Sequence, residues 1–153
     1  MGELNELYQE VILDHNRHPR NFGSLEEAER KAEGYNPLCG DQITVYLKMN
    51  EGVIEEVTFK GSGCAISTAS ASIMTETVKG KTPGQAEALF SRFHALVTGK
   101  AESTLEGVDL GKLVVFHQVS HYPVRVKCAT LPWHTLRAAL QRRAETISTE
   151  SNY

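Results

Sequence analysis

At 153 residues and a formal net charge of −3, the chain has the size of one domain and lacks the basic excess that general nucleic-acid binding requires. Hydrophobic residues at 41% suffice for a buried core, and no apolar run reaches the length of a membrane span. The opening "MGELNELYQE" has no signal-peptide core, so the expected location is cytoplasmic, where thiols stay reduced.

Leu4, Leu7, Tyr8, Val11 and Ile12 recur at helical spacing and predict an amphipathic helix over 4–17. Pro19 helps to stop it, and "HPRNFGS" reads as loop. Ile43, Val45, Leu47 and Met49 then alternate with polar or larger residues, the period of a strand with one buried face. A turn at Asn50-Glu51-Gly52 leads into a second strand over 53–60, so the two should pair as an antiparallel hairpin.

After "GSGCAISTAS", a helix is expected from about Thr68, with Gly80 just past its end. Thr82, Pro83 and Gln85 carry the signature of a capping box with proline in the first turn, which predicts another helix start. Residues 99–112 read as a polar, glycine-bounded loop, and "KLVVFHQV" is apolar but of no clear period. The last helix is expected to begin close to Cys128, so that Pro132 falls in its first turn and Trp133, Leu136 and Leu140 form its buried face. Residues 1–143 then form one α+β domain and 144–153 a flexible polar tail.

The three cysteines stand far apart, at 39, 64 and 128, with no CxxC pair. That spacing weighs against zinc ribbons, thioredoxin-like redox motifs and the zinc deaminase signature. On the predicted elements each lies in a loop or at a helix start, and Asp41 follows Cys39 by two residues. Helix N-termini favour a thiolate, and three thiols with a carboxylate are a plausible donor set for a metal ion. Free cysteine is also among the most often buried residue types, and Gly40-Asp41 is ordinary turn chemistry. From spacing alone both readings stay open. The six histidines share no ligand spacing.

Four blocks go further: "DHNRHPRNFG" (14–23), "NPLCGDQITVYL" (36–47), "GSGCAISTASASIMTE" (61–76) and "YPVRVKCATLPWHTL" (122–136). In sequence and in order they resemble the U-type iron–sulfur scaffold family, which comprises IscU, SufU and the N-terminal domain of NifU. The resemblance implies a small antiparallel three-stranded sheet packed against several helices. Lys127 stands where IscU-type proteins have a histidine before the third cysteine, and the stretch 95–113 resembles an insertion of the SufU branch.

For that branch the resemblance implies a zinc site built from Cys39, Asp41, Cys64 and Cys128. It also implies a sulfurtransferase role, with Cys39 taking persulfide sulfur from a PLP-dependent cysteine desulfurase of the SufS/IscS type. A desulfurase histidine would replace Cys39 on the metal, and the sulfur would pass to a SufBCD-type assembly complex. Zinc suits three thiolates and one carboxylate in a tetrahedral site. Such a site sums to about −2 in formal charge, which Arg125 and Lys127 beside Cys128 could offset. Two other functions fit the same residues: a scaffold that assembles a [2Fe–2S] cluster from iron and sulfide, and a non-catalytic zinc-stabilised binding module.

Overall fold

Three long strands form an antiparallel sheet, β1 (Arg30–Asn36), β2 (Asp41–Asn50) and β3 (Val53–Ser62), in a computed structural model that describes residues 2–99, 110–142 and 146–149. The β2–β3 hairpin is the expected one, with Val45 opposite Phe59 and Leu47 opposite Val57. Ile43, Val45 and Leu47 face inward while Gln42 faces out, so the alternation places one face of the sheet in the core. Burying each large apolar side chain of this face contributes roughly 1.5–3 kcal/mol.

β1 has no hydrophobic period, and its inward residues Ala32, Gly34 and Asn36 explain why. A Cβ on Gly34 would collide with Thr135 Oγ1 and lie 3.0 Å from Leu131 Cδ1. Small residues here let the last helix lie directly on the strand. A fourth strand, β4 (Ile147–Ser148), pairs in parallel with Gly34 and Tyr35 of β1, giving the order β3-β2-β1-β4. Ile147 is buried, so this part of the expected tail is docked on the sheet.

The helices are α1 (Gly2–Arg17), α2 (Ala65–Val78), α3 (Pro83–Val97) and α4 (Pro123–Leu140), with a 3-10 helix over Gly111–His121 in the apolar stretch of undecided type. Thr82 and Gln85 form the reciprocal capping box at the start of α3. Gly80, at φ +83°, follows α2 as expected. Most of the expected 99–112 loop lies outside the described residues.

α4 departs from expectation. It begins at Pro123, not near Cys128, so Pro132 lies inside the helix rather than in its first turn. Pro132 has no N–H for the Cys128 carbonyl, and the helix continues past this gap because both residues are packed in the core. Trp133 is fully buried and stacks against Phe93 at 5.3 Å between ring centroids. Buried His15 ties α1 to α2 through Ser72, Nδ1 to Oγ 2.7 Å, and the same hydroxyl accepts the Arg20 N–H at 2.9 Å. Among the described residues no helix is long and apolar enough to cross a membrane.

Candidate metal centre

The turn "NPLCGDQ" is the β1–β2 hairpin itself. Asn36 and Asp41 are its closing pair, and Cys39 lies in the four-residue loop between them. The loop is held by hydrogen bonds from the Cys39 and Gly40 N–H groups to the Asn36 carbonyl, at 3.3 and 2.8 Å. The Cys39 thiol is therefore exposed on a hairpin tip, with a strand before it that the sequence reading lacked.

Register then places Asp41 inward, fully buried beneath the loop. One carboxylate oxygen, Oδ1, accepts the Cys64 N–H at 2.8 Å; the other, Oδ2, accepts Asn36 Nδ2 at 3.1 Å. The close approach to Cys64 depends on Gly63, where a Cβ would stand 2.5 Å from Asp41 Oδ1. Both oxygens keep a lone pair free for a further partner.

Cys128, in the second turn of α4, is buried and reaches Cys39 at 3.2 Å between sulfurs. Ligand atoms of Cys39, Asp41 and Cys128 all lie within 4.8 Å of one another. That fits one ion: zinc–sulfur bonds of about 2.3 Å in a tetrahedron place sulfurs about 3.8 Å apart.

Cys64 is at the N-cap of α2, as its predicted place before a helix requires, and is half-buried beside the cluster. Its sulfur accepts the Ser67 N–H at 3.4 Å and is not part of the three-atom group. The Cys64 thiol is pulled down to about 7, first by a hydrogen bond from Cys128, against its own burial. Cys128 is pushed up, first by the same bond and then by burial. The bond these two share favours the thiolate at Cys64 over Cys128.

An open cavity of about 670 Å³ adjoins all three thiols, lined also by Ile66, His121, Tyr122 and Arg125. The Arg125 guanidinium lies over the Tyr122 ring at 4.6 Å, so its stacking holds a cation at the cavity. Lys127 does not line the cavity. Sequence reasoning overlooked Asn36 and His121. The signal for Asn36 was its place before the cysteine loop; His121 is seven residues from Cys128, the nearest thiol in sequence, and gave none.

Residues 7–140 match the model of the NifU-like N-terminal domain family. The chain is 39% identical over 144 residues to the iron–sulfur cluster assembly scaffold protein IscU of Streptococcus pyogenes serotype M1, covering 94% of this chain and 89% of that protein. It is 38% identical over 141 residues to the zinc-dependent sulfurtransferase SufU of Bacillus subtilis, covering 92% of this chain and 94% of the relative. Among solved structures, the N-terminal NifU-like protein of Brucella abortus superposes with a TM-score of 0.80 at 25% identity, over 90% of this chain and 94% of the other. With matches of this length, the chain belongs to the family of NifU-like N-terminal domains that includes the IscU and SufU proteins.

Proposed function

We propose that this member of the iron–sulfur cluster assembly family accepts persulfide sulfur on Cys39 from a PLP-dependent cysteine desulfurase and passes it on, with zinc as its resident metal. The observation that carries this reading is a contrast among neighbours. Cys39 is exposed on a hairpin tip, while Asp41 and Cys128 behind it are buried. A group meant to meet a partner's active site must be reachable, and groups meant to stay put must be held. The name of the Bacillus relative, a zinc-dependent sulfurtransferase, agrees.

Cys39, Asp41, Cys64 and Cys128 are the residues that would hold zinc. Bound there, zinc supplies a redox-inert charge that keeps thiol ligands deprotonated. In the transfer itself, the Cys39 thiolate attacks the outer sulfur of the desulfurase persulfide. A sulfur–sulfur bond forms on Cys39, the original one breaks, and its electron pair leaves with the desulfurase thiolate. Onward delivery repeats the exchange, with an acceptor thiol attacking and Cys39 departing; a SufBCD-type complex is the proposed recipient. Arg125 at the cavity favours the anionic persulfide over a neutral thiol.

The test is desulfurase turnover with and without the chain, alongside the zinc content of the protein used. Stimulation by a stoichiometric zinc protein supports the proposal, and unchanged turnover overturns it. The scaffold name of the Streptococcus relative favours a second reading, in which iron and sulfide are assembled into a [2Fe–2S] cluster on the same thiols. Iron with acid-labile sulfide in protein purified without air would favour that one.

A further inference from the structure

Asn36 is fully buried, and every hydrogen-bonding position of its side chain is used. Nδ2 donates to Asp41 Oδ2 at 3.1 Å and to Cys128 Sγ at 3.4 Å. Oδ1 accepts the Leu38 N–H at 3.2 Å and the Thr149 hydroxyl at 3.0 Å. The orientation of the amide is dictated by chemistry, because the Leu38 N–H can only donate and must face the oxygen. The two amide N–H groups therefore point at a carboxylate and a sulfur.

We propose that Asn36 is a positioning residue of the metal centre and that Thr149, just beyond β4, latches it there. Asn36 ties Asp41 to Cys128 across two elements, the β1–β2 hairpin and α4, and donates nothing to the sulfur of Cys39. It thus fixes two ligands behind the loop and leaves the exposed one free to exchange. Thr149 is itself seated by its N–H on the Tyr35 carbonyl at 3.1 Å, so the chain after β4 has a direct bond into the site. The arrangement makes docking of this segment part of how the metal is held. The inference rests on the metal-centre reading above, and its test separates the two.

The experiment measures zinc affinity by competition with a chromogenic chelator, the ligand-field spectrum of the cobalt(II)-substituted protein, and the alkylation rate of Cys128 in metal-free protein. Asn36→Ala should lower zinc affinity about 10–100-fold, the usual effect of removing a partner of a ligand. It should also shift the cobalt bands and speed Cys128 alkylation. Thr149→Val should lower affinity about threefold to tenfold, as loss of one hydrogen bond predicts, and Thr149→Ser should restore it. A folded Asn36→Ala with wild-type affinity, spectrum and alkylation overturns the positioning role. Equal behaviour of Thr149→Val and wild type overturns the latch, and this pair decides the matter if Asn36→Ala does not fold. A wild-type protein that takes up no zinc overturns the metal-centre reading instead, and the metal-free alkylation rates then still decide whether Asn36 positions Cys128.

Discussion

Asn36 and Asp41 close the β1–β2 hairpin as a directly opposed pair, and their buried side chains are joined at 3.1 Å beneath the exposed Cys39 loop. The strand register that makes them partners also turns both toward α4, where Cys128 waits. Fold and site are therefore one construction at this point.

Removing the carboxylate tests that construction without metal. Asp41→Ala strands the Cys64 N–H and an Asn36 N–H in a buried setting. Leaving a buried donor unpaired costs about 1–3 kcal/mol, so urea unfolding of the metal-free variant should show a loss of that order. An unchanged midpoint would mean that Asp41 serves only the metal.

Gly63 offers a separate check on the carboxylate. A methyl group there meets Asp41 Oδ1 at 2.5 Å, so the carboxylate must turn aside in Gly63→Ala. Zinc retention against a chelator should fall, while the far-UV circular dichroism stays that of the wild type. Full retention would show that Asp41 has room to move without consequence.

The fold has its own sensitive position at Gly34. Gly34→Ala drives a Cβ into Thr135 and Leu131, and overpacking of this kind costs about 1–3 kcal/mol. Thermal unfolding should register the loss, with a larger one for Gly34→Val.

Gly34 also shows why β1 escaped the sequence reading. The strand's inward face is built from residues chosen for smallness and for hydrogen bonding, and neither leaves an apolar period. β2, β3 and the α3 cap were legible because each shows its physics locally, in alternation or in Thr82 and Gln85. The start of α4 was misplaced because Pro132 was given the first-turn position that Pro123 occupies, and burial inside the core is what lets the helix run on past Pro132. The two residues of β4 are too few for any period to appear. Cys39, Asp41, Cys64 and Cys128 were singled out from family-like blocks, since spacing could not reveal that a hairpin, a loop and a helix converge. Of these, the geometry groups Cys39, Asp41 and Cys128 tightly, with Cys64 beside them, its sulfur also accepting the Ser67 N–H.

Two histidines give the protein an acid-sensitive stability. Burial lowers both His15 and His134, the latter to about 4 with help from Arg137 and His94. The unfolded chain then binds protons more readily than the folded one. Stability is complete above about pH 6.5 and declines as pH falls from there toward about 4. Urea midpoints of metal-free protein should drop over this window, and the His134 ring should titrate near 4 by NMR. A His134 titration near 6.5 would contradict the burial argument.

The proposed arrival of sulfur on Cys39 is tested by direct trapping. The desulfurase is charged with radiolabelled cysteine, mixed with the zinc protein, quenched with an alkylating reagent, and the labelled peptide is identified. Label is expected on the peptide containing Cys39, none in Cys39→Ala, and reductant should release all of it. Label on Cys64 or Cys128 in the wild type, or undiminished label in Cys39→Ala, would contradict it.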